Sequence, residues 1–371
     1  MKIIVLSSFI FSWFACYCQL SKQELNQLAI ERYNVGDFKG ADGYFKKITE
    51  QYPNDSMAYL DCGMMKEYMK DFQGAIEDFT KQIQVDEASV DGYFLRAINE
   101  EKLGFFDAAL RDYSSVIKLE FDNSDAHLFR GMIYLKNNQK KEALIDLRFA
   151  LAINPENSNA LAERGWYFAL EGNFKNAMTD LDKAISIDSS LQKAYQYRGW
   201  VKTALKDYLG AISDYEKMIS INPYKFPEYY QLEKQPHDLS HFDKILNNKQ
   251  KYCKSEKEKM DLALLNMFLK RTKQANQIFK EIVFNSENYV LDLFGISKTN
   301  FLLGNPLKEA LTPLNFAINE DPTIPELFFF RAELNLKMNN ETQACLDFER
   351  YKMLSKEFIY LELFKKCINK A

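Results

Sequence analysis

Three histidines stand in the 371 residues, and two of them are spaced for a metal site. His237 and His241 are four residues apart, which places both on one face of a helix, and Cys253 follows. Metalloprotease chemistry with this spacing needs a glutamate between the histidines as general base, and none is there. We therefore expect a loop or helix surface, with a zinc site as the alternative. His127 replaces an aromatic residue at an inward-facing position and is expected in the core.

Arginine and aspartate recur at a spacing of 34 residues. An arginine that enters a helix-packed region needs a carboxylate partner, because an unpaired buried charge is costly. The pattern predicts a ladder of structural ion pairs, with an anion-binding ladder as the alternative. Pairing within a repeat, as Arg331 and Asp347 suggest, and pairing between repeats, as Asp78 with Arg96 suggests, both stay open. The residues are Arg96, Arg130, Arg164, Arg198 and Arg331, with Asp78, Asp112, Asp146, Asp180, Asp214 and Asp347.

The elements that position these side chains follow the same period. A large apolar residue stands four positions after each recurring alanine, and a small residue stands twelve before it. Within residues 158–191 the apolar positions have the 3/4 spacing of an amphipathic helix, broken at Gly172 and then resumed. Each 34-residue repeat is therefore predicted to form two helices in a tight hairpin, with small residues where the helices cross. The alanines are Ala41, Ala75, Ala109, Ala143, Ala177 and Ala211, resuming at Ala275, Ala310 and Ala344.

These motifs resemble the tetratricopeptide repeat family. The family pattern of alternating small, aromatic and proline positions is matched by Tyr195, Gly199, Ala211, Tyr215 and Pro223. The resemblance implies an all-α fold, an α-solenoid of antiparallel helix pairs wound into a superhelix, possibly as two arrays joined by an irregular connector. Repeats are assigned from Lys22, Ser56, Val90, Ser124, Ser158, Gln192, Glu256, Leu291 and Pro325.

The expected organisation has five parts. Residues 1–18 are a signal peptide, residues 22–225 six repeats, and residues 226–255 a degenerate helical hairpin or connector, with a mobile hinge as the alternative. Residues 256–354 are three further repeats, and residues 355–371 a capping helix. The signal reading rests on Lys2 and a mostly apolar run from Ile3 to Ala15, too short to span a bilayer. Lipidation of Cys16 and an uncleaved anchor are the alternatives.

The resemblance implies a binding groove lined by the first helix of each repeat. The ninth repeat position faces this groove and is apolar throughout the first six repeats, ending in two tryptophans; the fifth position widens the strip. An amphipathic helix or extended peptide docks on such surfaces, although the side chains could instead only pack adjacent helices together. Trp166 and Trp200 are the strongest candidates because tryptophan is enriched among binding hot spots. The groove residues are Ile30, Leu60, Met64, Phe94, Ile98, Leu128, Met132, Trp166 and Trp200.

Composition narrows the function. The net charge of -4 and a pI near 5.7 argue against nucleic-acid binding. We found no phosphate loop, nucleophile elbow or paired-cysteine motif, so we expect a non-enzymatic scaffold without cofactor or metal, and a small-molecule ligand is not favoured. The partner is a protein or peptide of unknown identity; a carbohydrate stacking on the groove aromatics is the alternative.

We expect export to the periplasm or outside the cell, with no membrane span after the signal and a role in envelope assembly, secretion or chaperoning. Four cysteines remain after the signal, and spacing alone does not pair them. Cys62 and Cys345 fall on inward-facing helix positions, which favours buried thiols over a disulfide. Cys253 and Cys367 stay open.

Overall fold

The computed structural model describes residues 20–223, 255–283 and 288–355, with the isolated positions 242, 245–247, 249, 250 and 253. These ranges are helical and hold no strand, which confirms the predicted all-α fold. The predicted signal peptide, most of the connector and the capping helix lie outside them, as do His237, His241, Cys16 and Cys367. None of the described helices is long and apolar enough to cross a bilayer.

Contacts divide the chain after Phe121 into two units. Helices pack in consecutive antiparallel pairs, and each pair is called here the first and second helix of a repeat. Among the residues that the structure describes, three pairs lie in the N-terminal unit and six in the C-terminal unit.

The helices of the N-terminal unit are α1 (Lys22–Asn34), α2 (Phe38–Gln51), α3 (Ser56–Tyr68), α4 (Phe72–Val85), α5 (Val90–Lys102) and α6 (Phe106–Leu119). Those of the C-terminal unit are α7 (Ser124–Lys136), α8 (Lys140–Ile153), α9 (Ser158–Leu170), α10 (Phe174–Ile187), α11 (Gln192–Ala204), α12 (Tyr208–Ile221), α13 (Glu256–Phe268), α14 (Thr272–Ile282), α15 (Tyr289–Leu302), α16 (Leu307–Glu320), α17 (Pro325–Lys337) and α18 (Glu341–Leu354).

Eight of the nine first helices begin at the assigned repeat starts, and α15 does not. It begins at Tyr289 rather than Leu291. The turn between α15 and α16 has one residue more than the others, so a repeat start counted back from Ala310 falls too late. Gly295 of α15 lies against the preceding repeat instead, since a Cβ at this position would lie 2.4 Å from the ring of Phe279 in α14.

The turn within each repeat requires a left-handed residue at its second position. Gly36, Gly104 and Gly172 supply it at φ values of 73° to 78°, as glycine does readily. Lysine takes the same conformation at Lys70 and Lys206, with φ of 59° and 65°. A side chain costs about 1 kcal/mol or more in this region, so these turns are imposed by the packing of the two helices on either side.

Close helix crossings explain the periodic small residues. A Cβ at Gly199 would lie 2.5 Å from the ring of Tyr215, and one at Gly165 would lie 2.8 Å from Leu181. The large apolar residue of each second helix therefore fills the space that the small residue leaves. Burial of these pairs supplies much of the core, since a buried aromatic side chain contributes roughly 2–3 kcal/mol.

The cysteines follow the expectation in part. Cys62 is a free, buried thiol in α3, packed with Leu25 and Phe45. Burial raises its pKa, and nearby Asp78 and Asp42 act in the same direction, so it stays protonated. Cys253 is a free thiol that is partly exposed. Cys345 takes part in a disulfide, so the expectation of a buried thiol there was wrong.

Candidate binding faces of the first helices

The ninth repeat positions present apolar side chains in each unit. In the N-terminal unit, Ile30 is 54% exposed, and Met64 and Ile98 are half-buried. In the C-terminal unit, Met132 and Trp166 are half-buried. These positions offer partly accessible apolar surface on helices that are otherwise packed, which is the kind of surface that a polypeptide can cover.

Trp166 lies in a cluster of aromatic rings, which we call the tryptophan patch: Trp166, Tyr197, Trp200 and Phe174. The ring of Trp166 stacks on Tyr197 with centroids 4.8 Å apart and meets Trp200 edge-on at 5.3 Å. Phe174 lies 6.2 Å from Trp200 and closes the cluster. Such ring pairs add about 0.5–1.5 kcal/mol beyond area burial, so they hold the Trp166 indole in a fixed orientation.

Three predicted groove residues are buried instead of presented. Trp200 is 8% exposed, Leu60 is 7% and Leu128 is 4%. The fifth position turns toward the neighbouring first helix, as shown by Leu95 packing against the cluster that contains Leu60. Trp200 is covered by its aromatic neighbours. These three side chains support the surface, and Phe94 at the fifth position stays half-buried.

Each of the five ladder arginines forms a bidentate ion pair with the aspartate of its own repeat. In Arg130 the Nε and Nη2 atoms each donate to an Asp146 oxygen at 2.8 Å, and Arg164 holds Asp180 at 2.7 and 2.9 Å. Both aspartates are buried. A fork-to-carboxylate pair of this kind uses the donors that an external anion would need. The same geometry joins Arg96 to Asp112, Arg198 to Asp214 and Arg331 to Asp347.

Some arginines also contact the preceding repeat through their remaining nitrogen. Arg198 Nη1 donates to Asp182 Oδ1 at 2.7 Å, and Arg331 Nη1 donates to Asn315 Oδ1 at 3.0 Å. The ladder therefore fixes the first helix to its own second helix and to the one before it.

Of the two pairings that the sequence left open, the one between Asp78 and Arg96 is not formed, because Arg96 pairs with Asp112. Asp78 lies 2.5 Å from the ammonium of Lys66, on the first helix of its own repeat. Cys62 takes the place of the ladder arginine in this repeat, and a lysine four residues later supplies the positive charge. Lys202 reaches Asp214 from the same repeat position at 2.8 Å. A lysine four residues after the arginine position is the sequence signal that predicts such a pair.

His127 is a core residue. It is 2% exposed, its Nδ1 lies 3.0 Å from Asp146 Oδ1, and its ring stacks on Phe149 at 5.2 Å. Both the ring face and one nitrogen are thus occupied by the protein itself, which leaves the side chain no access to a substrate.

Asp42, Cys62 and Asp78 converge in the N-terminal unit, which the sequence did not reveal. Their ligand atoms all lie within 4.8 Å of one another, and this donor set is one that divalent metals accept. The Lys66 ammonium already holds Asp78, and the Cys62 thiol is protonated, so the cluster has a cation of its own.

One family model matches part of the chain. Residues 94–148 match the family model described as tetratricopeptide repeat. The matched residues cover most of α5, all of α6 and α7, and part of α8. Helix pairs with the same close crossings and left-handed turns recur in the described residues outside this match, so the described chain has the fold of tetratricopeptide repeat proteins. No curated protein sequence matches it.

Several solved structures resemble parts of the chain. YrrB, described as a TPR protein with an unusual peptide-binding site, is 20% identical and aligns over 48% of this chain and 92% of its own, with a TM-score of 0.41. PilW, described as a widely conserved type IV pilus biogenesis factor, is 20% identical over 56% and 96%, with a TM-score of 0.46. A tetratricopeptide repeat protein from Parabacteroides merdae is 17% identical over 76% and 96%, with a TM-score of 0.34.

Proposed function

We propose that this protein is an exported, non-enzymatic scaffold that binds another polypeptide on the faces of its first helices. The observation that carries the proposal is the tryptophan patch, where Trp166 is partly accessible while its ring is held by Tyr197 and Trp200. A rigid, half-buried indole gives a large contact area at little cost in side-chain entropy. A role in envelope assembly, secretion or chaperoning is compatible with such a surface.

Two further features support the proposal. The N-terminal segment has the charge and apolar pattern of a secretory signal, and the Cys345 disulfide is typical of an oxidising compartment. The ladder arginines and His127 are bonded to buried aspartates, so these side chains stabilise the fold and are not available for acid–base chemistry. Binding is therefore the activity that the described residues support best.

The test is affinity capture from a cell-envelope extract. Trp166→Ala is compared with wild type and with Phe316→Ala, which removes an aromatic side chain that is 56% exposed on the second helix α16. We expect one or a few polypeptides to be retained by wild type and by Phe316→Ala, and their recovery to fall at least tenfold with Trp166→Ala. The exported form of the present protein should begin at Gln19, which a mass measurement would show.

Other outcomes of this experiment would contradict the proposal. Equal recovery with Trp166→Ala and wild type would remove the tryptophan patch from the proposal. If Trp166→Ala captures the same polypeptides as wild type but is retained less well on immobilised glycans, the carbohydrate-binding alternative would be favoured. Trp166→Phe keeps a ring in place and should restore most of the retention, which separates contact from loss of folding.

A further inference from the structure

The N-terminal unit is strongly acidic, unlike the rest of the chain. Residues 20–121 contain 12 Lys and Arg against 19 Asp and Glu, a net charge of -7, while the whole chain carries -4. Residues 122–371 carry a net charge of +2. The electrostatic field of the N-terminal unit therefore attracts cationic partners, and this attraction weakens as salt rises.

The basic side chains on the first helices of this unit are already paired with carboxylates of the same unit. Each of the five Lys and Arg residues on α1, α3 and α5 lies in an ion pair with a carboxylate. The pairs are Lys22–Asp55, Arg32–Asp37, Lys66–Asp78, Arg96–Asp112 and Lys102–Glu67. An anionic partner would thus find no uncommitted cation on these helices.

Asp61 is the carboxylate of α3 that takes part in none of these ion pairs. It is half-buried and takes part in no ion pair or hydrogen bond within the described residues. Burial raises its pKa to about 6, the Asp55 charge adds to the rise, and Lys22 only partly offsets it because its ammonium is bonded to Asp55. A cation brought against Asp61 would satisfy a carboxylate that the chain itself does not pair.

Apolar side chains flank Asp61 along the same face of α3. Met57, Asp61, Met64 and Tyr68 stand at spacings of four, three and four residues, which places them on one stripe of the helix. Met57 is 58% exposed and Tyr68 is 46% exposed. Methionine side chains adapt to different apolar partners, so the stripe has both the apolar surface and the charge of a docking site.

We propose that this stripe of α3 binds a cationic, apolar polypeptide segment, with a Lys or Arg of the segment seated against Asp61 and its apolar side chains on Met57, Met64 and Tyr68. The inference rests on the proposed function and names the chemistry of one partner. A neutral or acidic segment would bury Asp61 without compensation, and this cost gives the site its selectivity.

The test uses three fluorescent 16-residue amphipathic peptides that share a leucine stripe and carry Lys, Gln or Glu on the polar face. Their Kd values for the purified protein are measured by anisotropy at low and high salt. We expect the Lys peptide to bind at least tenfold more tightly than the Gln peptide, and the Glu peptide to bind weakest. Asp61→Asn should weaken the Lys peptide about five- to tenfold and leave the Gln peptide nearly unchanged.

Glu77→Gln is the matched control, because it removes one negative charge at an exposed position of α4. Its effect on the Lys peptide should be under twofold. Met57→Arg is a second variant, since it places a fixed cation one helical turn from Asp61 at an exposed position. It should weaken the Lys peptide as Asp61→Asn does, and both variants should retain the wild-type circular dichroism.

Equal Kd values for the Lys and Glu peptides would overturn the inference, as would equal effects of Asp61→Asn and Glu77→Gln. These failures leave the proposed function intact if Trp166→Ala still abolishes capture from the extract. If no peptide binds and capture does not depend on Trp166, the proposed function itself fails.

Discussion

At the residue scale, the position that matches Lys66 and Lys202 in the third repeat is occupied by Glu100. It is buried, and its Oε2 atom has no hydrogen-bond partner. Burial raises its pKa to about 7, the neighbouring Asp112 charge adds to the rise, and Arg96 and Arg111 only partly offset it. Where Lys66 and Lys202 stabilise a buried aspartate, Glu100 repels one.

The consequence is a stability that falls as pH rises. The folded protein binds the Glu100 proton more tightly than the unfolded chain, whose glutamate has the ordinary pKa of 4.5. Ionisation therefore costs stability progressively from about pH 4.5, and the full cost is present above pH 7. One pKa unit corresponds to about 1.4 kcal/mol, and partial solvent screening reduces the total to roughly 1–2 kcal/mol.

We predict that Glu100→Gln raises the free energy of unfolding by about 1–2 kcal/mol at pH 8.5 and by much less at pH 5. Urea denaturation at both pH values checks this. Glu87→Gln, at an exposed position between α4 and α5, is the control and should change little. A gain that is the same at both pH values would mean that the charge of Glu100 is not the cause.

At the element scale, the helix pairs depend on how closely the two backbones approach. The crossing at Gly199 is tight, since a Cβ there would lie 2.5 Å from the Tyr215 ring, which is itself bonded to Thr203. The crossing at Gly131 is looser, with the nearest side-chain atom, in Asp146, at 3.3 Å. Alanine is favoured over glycine in a helix by roughly 1 kcal/mol, so the sign of each substitution depends on space.

We predict that Gly199→Ala lowers the free energy of unfolding by about 1–3 kcal/mol, because the ring must shift to admit the methyl group. Gly131→Ala should stay within about 1 kcal/mol of wild type. Chemical denaturation of the two variants side by side measures the difference. Equal losses at both positions would show that glycine is needed for a reason other than the crossing distance.

At the scale of the whole molecule, the cores are divided among groups of neighbouring helices. One buried cluster spans α7 to α11, another spans α11 to α18, and a third lies in the first two repeats. In a repeat protein each repeat contacts mainly its neighbouring repeats, so the free energy of unfolding is a sum of local contributions. Different groups of repeats therefore need not unfold together.

We predict that unfolding is not a single transition. After removal of residues 1–18, Trp166 and Trp200 are the tryptophans that remain, and both lie in the C-terminal unit. Their emission reports on that region, whereas circular dichroism at 222 nm reports on all helices. The two signals should give different urea midpoints. Superimposable curves would show that the chain unfolds as one cooperative unit.

The sequence determined the repeat and much of its internal order. Alanines, small residues and large apolar residues at a 34-residue period specify a helix pair, because neither helix can bury its apolar face without the other. The period also marked the arginines and aspartates, since buried charges of opposite sign recur together only where they pair. Eight first helices begin where the pattern places them.

Only the tertiary structure decided which groove residues are accessible to a partner and which charged side chains lack an ion pair. The ninth and fifth positions are equally apolar in the sequence, yet Trp200 and Leu128 are buried while Trp166 is partly accessible, because burial depends on the neighbouring helices. The partner of Asp78 and the lack of an ion pair at Asp61 likewise depend on distances between helices, which a periodic pattern does not contain. Local periodicity fixes the faces of a helix, and packing in three dimensions fixes what each face meets.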